Sequence, residues 1–282
     1  MPDSAARLLA NAPLVFVLAA IRFESLEALP SWMAEIQDDL RDRMPLYRRI
    51  RQSVSQAGFE VAIDPPDFDA QQANSAWIMS TVDGQTSAQF AKGSLIVHTR
   101  DYHSFSDFAD VVRMALDALL LRAKRIHVGQ VGIRYVDHLR ATNGYSVDKF
   151  VPSQLLPHVP NMDGLALRNA VSTTTYSCGS HLLNVRFGTG AGMPVIPEDL
   201  MSVYLSSSKP GPGGIVHFDA MKDDEGVLDT DCIAAELGPQ VMDQERILEL
   251  LDQLHVTANG YFRAVTTKHA ADAWGGGIKE EV

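Results

Sequence analysis

The stretch VGQVGIRYVDHLRATNG (128–144) has the alternation of a strand, yet it carries an arginine, a tyrosine, an aspartate and a histidine within five positions. In a strand, successive side chains alternate between faces. Gly132, Arg134, Val136 and His138 therefore share one face, and Val131, Ile133, Tyr135 and Asp137 share the other. Arg134 and Asp137 cannot pair within the strand, so each must find its partner elsewhere. An unpaired buried guanidinium is very costly. Arg134 is thus read as a structural ion pair, with an anionic ligand or partner contact as the alternative. Together with His255, at the edge of a C-terminal helical stripe, Arg134, Tyr135, Asp137 and His138 form the candidate ligand-binding or partner-binding set.

The other chemistry-bearing residues are less telling. The nine histidines show no HExxH or HxH spacing, and His98, His217 and His255 sit in segments that read as half-buried, so no metal site is expected. The run KDDEGVLDTD (222–231) fails the EF-hand spacing and reads as an acidic hairpin turn. FGTGAGMPVIPEDL and SKPGPGGIV lack the GxGxxG and Walker orders and read as loops, so no nucleotide cofactor is expected. YSCGSHLL places Cys178, Ser180 and His181 around one tight turn, where neighbours rarely reach a nucleophile–base geometry, and no catalytic residue is assigned. Arg48, Arg49 and Arg51 in RDRMPLYRRIRQ, and the basic end of LLLRAKRIH, are the candidate nucleic-acid patches. Each reads more readily as a solvated basic face.

These residues must be held by a fold. Residues 14 to 24 form a near-continuous apolar strand, and Trp32, Met33, Ile36, Leu40 and Met44 then recur at helical spacing. Extended segments LYRRIRQSV, AWIMSTV, TSAQFAKG and SLIVHTR follow, with Asp83-Gly84 and Lys92-Gly93 as hairpin turns. A long amphipathic helix begins at SFSDF, where Ser104 and Asp107 resemble a capping box. After the 128–139 strand the order repeats: a short helix near SVDKFVPSQLL, strands near AVSTTTYSC, HLLNVRFG, SVYLSS and GIVHFDAM, and a long helix from Asp243 to Val265. The reading is an α+β fold in which an internally duplicated antiparallel sheet packs on two long helices, with halves 1–126 and 127–282 in one duplicated domain. The element order is that of TATA-binding-protein-like or helix-grip folds, an analogy from order alone.

The segments NAPLVFVLAAIRF, TRDYHSFSDF, VGIRYVDHL and LDQLHVTANGYFRAVTTKHAADAWG, in that order, resemble a sporadically distributed family of uncharacterised bacterial proteins of about this length. The resemblance implies no activity and assigns no catalytic residues.

Bulk properties narrow the classes. A chain of 282 residues with 46% hydrophobic and 21% charged residues builds a core. A net charge of −11 opposes general nucleic-acid or anionic-membrane binding. Two distant cysteines disfavour a disulfide framework and suit a reducing cytoplasm, and the apolar N-terminal run is too short to span a bilayer. The sequence therefore reads as a cytoplasmic, non-enzymatic interaction or regulatory protein with a protein partner. The alternatives are a small-molecule binder or enzyme, using a cavity between sheet and long helices with an anionic ligand at Arg134, and a nucleic-acid binder using the arginine stretch.

Overall fold

The computed structural model describes residues 11–55, 58–63, 75–142, 144–208, 220–234 and 238–275, with 52–63 as backbone. Its first half runs β1 (Leu14–Phe23), α1 (Leu29–Leu40), β2 (Leu46–Ser55), β3 (Gly58–Ile63), β4 (Ser75–Ser80), β5 (Thr86–Ala91), β6 (Ser94–Thr99) and α2 (Phe105–Ala123). The second runs β7 (Ile126–Leu139), α3 (Val147–Phe150), β8 (Ala170–Cys178), β9 (His181–Thr189), a 3-10 turn at Glu198–Leu200, α4 (Met201–Ser207), β10 (Gly226–Ala234), β11 (Gln240–Met242), α5 (Gln244–Ala264) and α6 (Lys268–Ala273).

The strands join in one antiparallel sheet of order β3-β2-β4-β5-β6-β1-β7-β10-β9-β8, with β11 pairing the start of β7. The apolar run and the polar-bearing strand read from the sequence, β1 and β7, lie side by side at its centre, from Leu14 opposite Asp137 to Phe23 opposite Val128. On its other edge β1 pairs β6, the strand before α2, and β7 pairs β10, which only the short β11 separates from α5. Beyond them, β5 and β4 in one half and β9 and β8 in the other follow in the same order. Burial on both faces explains why β1 is almost continuously apolar, whereas β7 carries Arg134, Asp137 and His138 in the same central setting.

The principal core lies between one face of the sheet and the helices. Leu29, Met33, Ile36 and Leu40 of α1, Phe108, Val112, Ala115, Leu116 and Leu119 of α2, and Ile247, Leu250, Leu251, Leu254 and Ala258 of α5 enter one cluster with Val17, Ile21, Val131 and Ile133 of the strands. Ser104 caps α2 by accepting from the Asp107 amide, and Asp243 caps α5 by accepting from the Arg246 amide. The two long helices are tied by Gln244, whose Nε2 donates to the Arg113 carbonyl at 2.9 Å and to Asp117 Oδ1 at 2.6 Å.

The opposite face is not bare. Phe16, Leu18, Val136 and Val227 pack there beneath Val195, Ile196, Leu200 and Val203, so the sheet has a second, smaller core under the 3-10 turn and α4. SVYLSS, expected to be a strand, is this helix. Its serines close hydrogen bonds within the turn, Ser206 Oγ to the Val203 carbonyl at 2.8 Å and Ser208 Oγ to the Tyr204 carbonyl at 2.6 Å. Such back-bonds compete with the backbone ladder rather than favour a helix, and the segment is held by packing, with Leu200 and Val203 buried in this second core. KDDEGVLDTD is also corrected: only its first residues form a turn, and Asp229 and Asp231 lie within β10, beside β7. The segment GIVHFDAM, the loop SKPGPGGIV and His217 fall wholly or largely on 209–219, outside the described residues. Among the described residues no helix is long and apolar enough to cross a membrane.

Candidate functional site

Between the sheet and the C-terminal helices lies a cavity of about 590 Å³. Its floor is the helix-side face of the sheet: Leu14 at the start of β1, Tyr135 and Asp137 of β7, and Thr230 of β10. Register places Thr230 opposite Tyr135 and Leu228 opposite Asp137, so the strand alternation that sends Arg134 away from the helices sends Tyr135 and Asp137 into this space. One side of α5 forms a wall through His255, Asn259 and Phe262, positions that recur at helical spacing. Tyr102 and Phe105 at the entry to α2 form a second wall, and Lys268, Ala271 and Trp274 around α6 form a third. α6 is fixed by Thr267, which caps it by accepting from the Ala270 amide and donates to the Lys149 carbonyl.

Aromatic contacts order the polar groups. The Phe105 and His255 rings stack with centroids 4.3 Å apart and planes 2° from parallel. The Tyr135 hydroxyl lies 2.7 Å from His255 Nδ1, and the Tyr102 ring meets Tyr135 edge-on at 6.1 Å. Burial holds the His255 imidazolium down, which favours the neutral ring. The same desolvation pushes the Tyr102 phenol up to about 12 and Tyr135 well above its ordinary value.

Asp137 stands apart from this network. It is 4% exposed, and no hydrogen bond joins its carboxyl to another of the described residues. Burial, reinforced by the charge of Asp229, pushes its pKa up to about 8. Nearby, Thr230 Oγ1 is buried without a hydrogen-bond partner among the described residues. Buried polar groups in folded proteins are almost always satisfied. Thr230 Oγ1 and the Asp137 carboxyl line the same cavity.

The sequence-predicted residues separate. Tyr135, Asp137 and His255 meet at the cavity, whereas Arg134 and His138 lie on the other face of β7. The Arg134 guanidinium engages Asp229 through Nε and Nη2, each at 2.7 Å, and Asp199 through Nη1 at 2.5 Å and Nη2 at 3.1 Å. Burial opposes its charge, but the two carboxylates outweigh that and hold its pKa above the ordinary value. This is the ion-pair arrangement, and the guanidinium is absent from the cavity lining. His138 Nε2 lies 2.9 Å from buried Glu225, which also accepts from the Lys222 amide. The Arg48 side chain donates to the Ser206 and Ser208 carbonyls and so clips β2 to α4. Arg49 and Arg51 alternate with it on β2, which divides the three arginines between two sheet faces.

Cys178 and His181 face each other where the β8–β9 hairpin closes, with Gly179 at φ +63° making the turn. Cys232 is buried, its thiol pushed up to about 12 by desolvation, an inert rather than a nucleophilic setting. No group of histidines, cysteines and carboxylates suited to a metal ion occurs among the described residues. Sequence reasoning missed Thr230, Asn259 and Phe262. The period of two in GVLDTDCIA held the signal for Thr230, and the i, i+4, i+7 recurrence of His255, Asn259 and Phe262 held the signal for the wall. No protein-family model matches the chain, and no curated protein does.

Proposed function

We propose that this protein binds a small organic molecule in the cavity between the sheet and helices α2, α5 and α6. The observation that carries the reading is the pairing of an aromatic-lined space of about 590 Å³ with Thr230 Oγ1, buried without a partner among the described residues, and the buried Asp137 carboxyl at its floor. That volume is in the range of sites that enclose drug-sized ligands, and a few convergent polar groups in a largely apolar lining are their usual composition. The reading keeps the sheet-to-helix cavity of the small-molecule alternative but moves the polar anchor from Arg134 to Asp137 and Thr230.

Native mass spectrometry of the protein purified from its host tests this. A non-covalent organic adduct is expected on the wild type, and it should be lost in Ala271→Trp, which fills the cavity from α6. The reading fails if the wild type carries no adduct and takes up no apolar fluorescent probe that Ala271→Trp excludes.

A protein-partner reading draws on one other observation. β8 is an edge strand, exposed along most of its length, and AVSTTTYSC contains neither charge nor proline. Those are the features proteins normally use to blunt a sheet edge. An extended segment of a partner would add there as a further antiparallel strand.

A further inference from the structure

We infer that the cavity's occupant carries a primary amine, with Asp137 as its counter-ion and Thr230 as an added acceptor; this rests on the ligand-binding reading above. The argument starts from Asp137. A carboxylate with no cation and no donor beside it is among the least favourable groups to enclose, so in the ligand-free protein the proton is retained. The fold nevertheless holds this carboxyl on the central strand of the sheet, at the floor of the cavity, rather than an asparagine or a leucine.

An incoming ammonium group supplies both missing elements. It provides a positive charge that favours the ionised carboxylate and three N–H donors, of which one can reach Thr230 Oγ1, itself without a partner among the described residues. The surroundings suit such a group. Tyr102, Phe105, Tyr135 and Trp274 line the space, and aromatic rings attract a cation. The only basic side chains in the lining, among the described residues, are His255, whose neutral ring is favoured by burial, and the exposed Arg263 and Lys268. A ligand carboxylate fits the site less well, since it would meet a carboxyl with no buried cation between them.

Protons balance in a definite way. An ammonium ligand entering beside protonated Asp137 displaces that proton to solvent, so one proton is released per amine bound below the pKa of the free carboxyl. The titratable and charged groups that share the cavity or act on Asp137 are Tyr135 on its own strand, Asp229 on β10, Tyr102 before α2, His255 and Arg263 on α5, and Lys268 at the start of α6. Of these, Tyr102 and Tyr135 titrate well above pH 8, and His255 is held below its ordinary value. The release between pH 6.5 and 8 is therefore assigned to Asp137. Apparent affinity should rise by up to about tenfold per pH unit as pH climbs toward 8.

The test is calorimetric titration of the full chain at pH 6.5, 7.25 and 8 with tryptamine and phenethylamine, against 3-ethylindole and ethylbenzene as neutral probes without the amine. The expected result at pH 8 is binding of at least one amine about tenfold or more tighter than its neutral counterpart, with proton uptake by the buffer at lower pH. Asp137→Asn should remove the amine preference and the proton release while leaving the neutral probe unchanged. If the neutral probes bind as well as the amines, or Asp137→Asn keeps the preference, the amine assignment is wrong and the cavity reading stands. If neither kind of probe binds, and Ala271→Trp changes nothing, both are wrong.

Discussion

Asp137 gives the residue scale its clearest consequence. The unfolded chain loses this proton near the ordinary value of 3.8, whereas the folded protein keeps it to about 8. Over that interval the unfolded state binds fewer protons, so stability falls as pH rises, by at most about 1.4 kcal/mol per unit. Other groups overlap part of this range. Burial pushes Asp231 up to about 6, which adds to the fall below that pH. His98, 1% exposed and stacked on Phe16, is held down to about 3 by burial, and its contribution is lost as pH drops below 6.5. Between pH 6.5 and 8 the slope among these groups comes chiefly from Asp137. The ligand-free protein should lose about 1.5 kcal/mol or less across that window. Asp137→Asn should be flat there in denaturant midpoint. Parallel slopes in the two proteins would show that Asp137 is not neutral in the fold.

At the scale of elements, Arg134 joins β7 to β10 through Asp229 and to the 3-10 turn before α4 through Asp199. The two carboxylates differ in burial, with side-chain exposures of 3% for Asp229 and 59% for Asp199. Removing the guanidinium leaves the Asp229 charge enclosed, so Arg134→Ala should cost about 3 to 5 kcal/mol. Asp199→Ala breaks an exposed pair and should cost about 1 kcal/mol or less. Equal denaturation midpoints for the two variants would defeat the buried-charge account. This element-level arrangement was legible in part. A long apolar run identified β1, strand alternation identified β7, and helical stripes identified α2 and α5, because those segments bury so much surface that their periodicity leaves little ambiguity. Strand alternation also separated Arg134 from Asp137. What stayed hidden depended on contacts between distant segments. SVYLSS, an expected strand, is a helix packed through Val203 on Phe16, Leu18, Val136 and Val227, and the cavity is assembled from β1, β7, β10, α2, α5 and α6, which share no local motif. The acidic composition of KDDEGVLDTD obscured the strand inside it, since nothing local announces that Arg134 will neutralise Asp229.

Across the whole molecule, the decisive feature is the seam where β1 and β7 pair. Each is the first strand of its half, and each lies covered only because the other is there. A half produced alone would expose ten residues of β1 or fourteen of β7 as an unpaired, strongly apolar edge, the kind of surface that templates aggregation. The covalent link between the halves is slight. α2 ends at Lys124, whose φ of +61° is unusual for a residue with a side chain, and the exposed Lys124 and Arg125 lead directly into β7. Cutting the gene there should yield two polypeptides, 1–124 and 125–282, that precipitate when made separately and co-purify on a single affinity tag when made together. A fragment that stays monomeric and folded by itself would refute this. Reassembly of the two pieces would make the linker chiefly a means of keeping two mutually dependent partners at a high local concentration.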